Sequence, residues 1–223
     1  MREQPIRREL FLYTLERTLR HATVPVQVIV RADDDDADTI AWVRERTPYD
    51  LVVGPAYGYR GLPRYFNEMV TRVHPETTAI MCGNDDMRFE TPDWAAMMCG
   101  ATRRYPRGLF NLGVMTFPGG AFPFSCVSPK MVDALGRLNR EDLVYSDIYL
   151  RDVHARLGCC ELVPAVEILH IGYASADAMA VKEAVGRDYW HHHAACVAED
   201  VATLRPLLTR TSVGWRRVWE AWA

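Results

Sequence analysis

The feature that most restricts the fold is an alternation of short β-branched runs with longer segments of helical periodicity across the first half of the chain. Residues 6–20 (IRRELFLYTLERTLR) carry Leu12, Leu15 and Leu19 at helical spacing. VPVQVIV at 24–30 reads as a strand, DADTIAWVRERT at 36–47 as a helix, and YDLVVGP at 49–55 as a second strand closed by Gly-Pro. GLPRYFNEMVTRV at 61–73 reads as another helix and TTAIMCG at 77–83 as a third strand. Thr91-Pro92-Asp93 predicts a helix start: a capping hydroxyl, proline at the first helical position and an acid in the first turn. Strands linked by helices predict an α/β fold with a mostly parallel sheet flanked by helices.

The second half changes character. FNLGVMTFPGGAFPFSCVS at 110–128 is rich in Gly, Pro and aromatics and predicts short strands and turns. Helices are predicted at 129–136 and 147–157, the latter with Ser146 as N-cap and Gly158 past its end. CELVPAVEILHIG at 160–172 predicts a strand ending at a histidine, and 176–223 is predicted helical. No linker divides the chain. The expected organisation is a catalytic-type unit over 1–172 with a helical extension, 173–223, packed on the same domain.

Composition excludes several classes. With 49% hydrophobic and 25% charged residues the chain can build a core. No apolar run is long enough to span a membrane, and MREQPIRREL has no apolar signal region, so no membrane partner is expected. The six cysteines include no C-x-x-C pair, which argues against a zinc ribbon or a disulfide framework and for a reducing, cytoplasmic setting. A net charge of -3 means that any nucleic-acid contact must rest on a local patch. Of 26 basic residues only Lys130 and Lys182 are lysine. Arginine suits bidentate phosphate and carboxylate contacts, although a GC-rich genome gives the same bias.

Four segments could carry chemistry. In CGNDDMRFETPDW (82–94) a strand ends in Asn84, Asp85 and Asp86, and ligands of open parallel sheets bind beyond the carboxyl ends of strands. Adjacent carboxylates there call for a neutralising cation, Mg²⁺ or Mn²⁺ at Asp86 with help from Asp85; a simple polar turn is the competing explanation. In RADDDDADT (31–39), Asp33 and Asp34 could meet a nucleoside, whereas Asp35, Asp36 and Asp38 read as a solvated turn and first-turn acids. Asp147 opens a helix, where the dipole favours its ionised form, so it could accept a proton from a hydroxyl or merely stabilise the helix start. Glu141 and Asp142 compete for that role. His170, closing a strand, could ligate a metal or be a satisfied structural histidine.

Taken in order, these elements resemble the GT-A glycosyltransferases, above all the inverting family-two type, over roughly residues 5–172. The resemblance rests on a leading helix, a strand ending in RADDDD, a helix with Gly61 and Asn67, a DxD-like GNDD, the Thr-Pro-Asp-Trp segment, FSCVSPKMVDALG, an acid opening a helix that ends in Arg-Leu-Gly, and a terminal strand with histidine. It implies that Asp86 and Asp85 hold the cation bridging the donor diphosphate, that His170 is a further metal ligand, and that Asp147 is the catalytic base. It also implies that Asp33 and Asp34 bind the nucleoside and that Asn67, Arg60 and Arg64 lie near the donor. The implied reaction is metal-dependent transfer of a hexose, with inversion, from a UDP-sugar to an acceptor hydroxyl. In two respects the chain departs from the family: Asn84 stands where many members have Asp, and the leading helix begins directly after MREQP, where members open with a strand.

The acceptor is less constrained. Compact members of this kind include enzymes of envelope glycans and viral enzymes that modify hydroxymethylated pyrimidines in DNA. Arg205, Arg210, Arg216 and Arg217 interleave with Trp215, Trp219 and Trp222, which could grip DNA or could pack as an ordinary amphipathic helix. His191, His192 and His193 point in different directions on a helix and cannot form one tight site. A nucleotidyltransferase would show a Gly-rich phosphate loop, and none is present; a nucleotide-sugar-binding module without catalysis is a further alternative.

Overall fold

The computed structural model describes residues 5–84, 87–117, 120–170 and 176–208. Helix α1 (Pro5–Arg20) leads into β1 (Ile29–Asp33), α2 (Ala37–Arg46), β2 (Asp50–Gly54) and α3 (Leu62–Val70). β3 (Ile80–Met81), β4 (Met87–Phe89), α4 (Trp94–Thr102), β5 (Asn111–Phe117) and β6 (Gly120–Val127) follow. α5 (Pro129–Leu135), α6 (Ser146–Arg156), β7 (Cys160–His170), α7 (Ala176–Glu183) and α8 (Arg187–Leu204) complete the described chain.

The strands form two sheets. β1 and β2 pair in parallel, as a helix crossover requires. The second sheet has the order β3-β6-β5-β7-β4 and is mixed: β5 and β7 are parallel, and the other three pairings are antiparallel. The fold is α/β, and among the described residues the parallel pairings are β1–β2 and β5–β7. β6 begins at Gly120, too soon after Phe117 for a crossover, so β5 and β6 can only be a hairpin.

Two predicted strands are shorter than their apolar runs. VPVQVIV pairs only from Ile29, because its partner starts at Asp50, just after Pro48. The Gln27 amide instead donates to Asp50 and to the Arg72 carbonyl. TTAIMCG contributes only Ile80 and Met81, which pair with Val127 and Cys126 of β6. Among the described residues no strand precedes α1. β1 and β3 are edge strands of their sheets, and a cleft of about 1180 Å³ is lined by residues of both segments, among them Val30, Ala32, Ile80 and Cys82.

α1 covers one end of this arrangement. The buried Thr18 accepts from the Phe89 amide at 3.2 Å with its hydroxyl and from the Trp94 indole at 2.9 Å with its carbonyl. Phe89 and Trp94 stack at 3.7 Å. The predicted cap of α4 is corrected here. Thr91 donates to the Ala165 carbonyl and accepts from the Glu167 amide, which ties it to β7. Asp93 takes the N-cap position in a left-handed conformation (φ 58°). Likewise Tyr145, not Ser146, caps α6, whereas Gly158 ends that helix with φ 69°.

The largest core cluster joins Leu143, Tyr149, Leu150 and Val153 to Cys196, Val197, Val201 and Leu204 of α8. A buried polar network reinforces this seam: Asp200 accepts from Arg137 at 2.6 and 2.8 Å and from the Tyr149 hydroxyl. Cut off from water, Asp200 is acceptable inside because these donors satisfy it. Among the described residues no helix is long and apolar enough to cross a membrane, and the six cysteines are free thiols.

Candidate functional site

Arg31, the central residue of β1, is the hub. Neighbours Val30 and Ala32 face the core, so alternation turns Arg31 to the opposite face of the strand, toward α3. Its side chain is only 3% exposed, and its guanidinium donates to Glu68 at 2.9 Å, to the Pro55 carbonyl at 2.6 Å and to Asp33. It also lies 4.4 Å above the Tyr65 ring. Tyr57 donates to the other oxygen of Glu68 at 2.7 Å, and the Tyr65 oxygen accepts from the Tyr57 and Gly58 amides. Burial disfavours a charged Glu68, but the bonds from Tyr57 and Arg31 and the charge of Arg31 outweigh it and hold the carboxyl below its usual range. Gly61 permits this packing: a Cβ there would lie 2.0 Å from the Tyr57 Cβ.

Asp33 therefore enters the site already oriented, with Arg31 on one oxygen, and it lines the cleft. Asp34 is exposed and anchored through its amide, which donates to the Gly54 carbonyl at 2.7 Å. Asp36 is the N-cap of α2 and accepts from the Thr39 amide and hydroxyl, in line with its reading as a helix-start acid. Arg60 is exposed, and Arg64 pairs with Glu141 at 3.0 Å on the surface. Asn67 has another task. Its side-chain oxygen accepts from the Leu138 and Asn139 amides at 3.0 and 2.8 Å, and its nitrogen donates to the Asn139 carbonyl at 2.9 Å. That amide clamps the loop ahead of α6, and Asn67 does not line the cleft.

Asp147 stands in the first turn of α6, half-buried beside aromatic side chains. Burial and then the Asp147 charge push the Tyr59 phenol upward, and Asp147 contributes to the same shift of Tyr189, where burial is again the main cause. Tyr59 lines the cleft, and Asp147 does not. Tyr145 stacks with Trp190 at 5.7 Å and an interplanar angle of 6°, and Trp190 is 42% exposed.

Gly83 and Asn84 line the cleft. Asp85 and Asp86 lie outside the described residues. Met87 pairs with His170 across β4 and β7, and the half-buried His170 ring packs edge-on against Phe124 at 5.2 Å. The cleft thus brings together Asp33, Tyr59, Tyr65, Gly83 and Asn84; Asp34, Arg60, Arg64, Asn67, Asp147 and His170 are not part of its lining. Of the basic tail only Arg205 is described; Arg210, Arg216, Arg217 and the three tail tryptophans lie outside the described residues.

Sequence reasoning missed Arg31 and Glu68. The available signal was a charged residue inside a β-branched strand, which needs a partner wherever it is buried. The three consecutive histidines do diverge: His192 bonds Asp142 at 2.5 Å and His193 bonds Asp152 at 3.1 Å.

No protein-family model and no curated protein matches the sequence. Among solved structures, the chain is similar to the mannosyltransferase PcManGT from Pyrobaculum calidifontis in complex with GDP-Man and Mn²⁺. The TM-score is 0.55 at 12% identity, over 92% of this chain and 73% of that one. The α/β fold assembled above is thus one that a glycosyltransferase also adopts.

Proposed function

We propose that the chain is a metal-dependent glycosyltransferase that moves a hexose from a nucleotide-sugar donor to an acceptor hydroxyl. The observation that carries this reading is the fold likeness to a glycosyltransferase bound to a nucleotide sugar and Mn²⁺, on a chain that sets an oriented Asp33 together with Gly83 and Asn84 around one cleft. Asp33 and Asp34 would accept hydrogen bonds from the nucleoside. The neighbour's nucleotide sugar is GDP-mannose, so GDP-sugars compete with UDP-sugars as the donor.

In a donor set of carboxylates and one imidazole, the carboxylates suit Mn²⁺ or Mg²⁺, and the imidazole favours the transition metal Mn²⁺. Asp85, Asp86 and His170 are the residues we assign to the ion, since the β4–β7 register pairs Met87 with His170 directly after Asp86 in the chain. When bound, the ion would offset charge developing on the diphosphate leaving group. Asp147 would take the proton of the acceptor hydroxyl as that oxygen attacks the anomeric carbon from the face opposite the diphosphate, inverting the centre. The exposed Trp190 face, stacked on Tyr145 two residues before Asp147, gives an acceptor sugar or base a stacking surface. The Arg- and Trp-rich tail argues for hydroxymethylated DNA as one acceptor to test beside glycans.

The test is transfer and donor hydrolysis with UDP- and GDP-sugars, with and without EDTA, on the parent chain, Asp147→Asn and Trp190→Ala. Asp147→Asn should lower turnover by about 10²-fold or more with donor affinity nearly unchanged. Trp190→Ala should raise the acceptor KM with little effect on the donor. Full activity of Asp147→Asn overturns the base assignment, and full activity in EDTA overturns the metal role.

A further inference from the structure

We propose that Asp142, His192 and Cys196 form a second metal site, for a zinc-type divalent ion, independent of the residues assigned to the donor. His192 and Cys196 are four residues apart on α8, so they share one face in consecutive turns, and Asp142 reaches them from the loop ahead of α6. The Cys196 Sγ lies 3.5 Å from His192 Nε2 and 3.8 Å from Asp142 Oδ2, and these two atoms are 2.5 Å apart. A tetrahedral ion with Zn–S of about 2.3 Å and Zn–N or Zn–O of about 2.0 Å sets its ligands about 3.5 Å apart for S···N and S···O and about 3.3 Å apart for N···O. Both sulfur separations are already close to those values. Two adjustments remain: the His192–Asp142 contact must open, and the imidazole, whose Nδ1 also lies 3.9 Å from the Cys196 Sγ, must turn to aim Nε2 at the ion.

The charges also fit. A thiolate and a carboxylate neutralise a doubly charged ion, and the thiolate selects zinc-type ions over Mg²⁺ or Ca²⁺. The nearest positive group, Arg140, approaches the other oxygen of Asp142 at 3.6 Å, and its guanidinium is engaged by Glu199 at 2.8 Å and by Asp200 at 3.4 Å. Burial and then the Asp142 charge keep the Cys196 thiol protonated. Binding as a thiolate releases the S–H proton to solvent, so it tightens as pH rises. The Cys196 side is closed, but His192 and Asp142 are 51% and 47% exposed, which gives an ion a way in and leaves a fourth position for water. A bound ion would pin the loop that leads to Asp147 onto α8.

The experiment is titration of the chelator-treated full chain with Co²⁺, followed by its thiolate-to-cobalt charge-transfer band, then displacement by Zn²⁺. The donor assignment contains no cysteine, so this band reports on Cys196 whatever becomes of the transferase reading. The expected result is saturation at one equivalent, loss of the band in Cys196→Ala, and at least about tenfold weaker binding in His192→Ala. Thermal unfolding of the metal-free variants shows that they fold, and added Zn²⁺ should raise the parent midpoint and leave that of Cys196→Ala unchanged. No charge-transfer band in the parent, or an unchanged band in Cys196→Ala, overturns the proposal.

Discussion

The Arg31 guanidinium and the Glu68 carboxylate meet at 2.9 Å and lock β1 to α3. Arg31 serves Asp33 and the Pro55 carbonyl at the same time, so one side chain sets the shape of the loop bearing the acids. Removing it leaves two carboxylates facing each other with no cation between them. Breaking a buried ion pair typically destabilises by about 3–5 kcal/mol. Glu68 and Asp33 keep 29% and 23% of their side-chain surface, so solvent screening reduces the expected loss for Arg31→Ala to about 2–3 kcal/mol. Urea denaturation measures it, and a loss below about 0.5 kcal/mol would show that the cluster does not hold the loop.

Asn67→Ala deletes one acceptor and one donor that together satisfy three backbone groups of residues 138 and 139. The expected cost is about 2–3 kcal/mol, because buried backbone groups lose their partners. Donor affinity, measured by calorimetry, should stay within about twofold, since the side chain faces the loop and not the cleft. A variant of parental stability with weakened donor binding would reverse this assignment.

The open edge of β1 should show in amide exchange. The Asp50 amide bonds the Val28 carbonyl at 3.0 Å and the Asp34 amide bonds the Gly54 carbonyl at 2.7 Å. Alternation along a parallel ladder then points the Val30 and Ala32 amides at β2 and those of Ile29 and Arg31 at the cleft. The latter pair should exchange at least about tenfold faster. Equal protection of all four would mean that another strand covers that edge.

His154 predicts a pH dependence. It is fully buried, its Nδ1 bonds the Leu150 carbonyl at 2.7 Å, and burial pushes its imidazole down to about 4. The unfolded chain takes up a proton near pH 6.5 that the folded chain refuses until about pH 4. Stability is therefore flat above about pH 7 and falls as pH drops through that window, by about 2 kcal/mol between pH 7 and pH 5. Denaturation midpoints at the two pH values test this, with His154→Leu expected to flatten the difference. An unchanged parental midpoint contradicts it.

Much of the fold was legible because helical and β-branched periodicities are local properties. α1, α2, β2, α3, α5, α6 and β7 lie within a few residues of their expected places. What was not legible depends on distant partners. Pairing of VPVQVIV is limited by where β2 begins, and Thr91 is claimed by β7 before it can cap a helix. The acidic loop after β1 was visible as a run of aspartates, but the division of labour within it was not. Asp33 faces Arg31, Asp36 caps α2, and Asp34 points outward, because strand direction and helix entry separate neighbouring side chains. Asn67 was expected near the donor only through the family resemblance, yet its partners lie some seventy residues further along.

The central claim is that the strand-end acids hold a divalent ion that binds a nucleotide sugar. Calorimetric titration of UDP- and GDP-hexoses into the chain, with Mn²⁺ or with EDTA, tests it most directly on the parent and on Asp86→Ala. The account predicts that one of these donors binds the parent with Mn²⁺, and that both EDTA and Asp86→Ala weaken that binding at least about tenfold. Equal binding with Mn²⁺, in EDTA and in Asp86→Ala, or binding of neither donor by the parent, would contradict it.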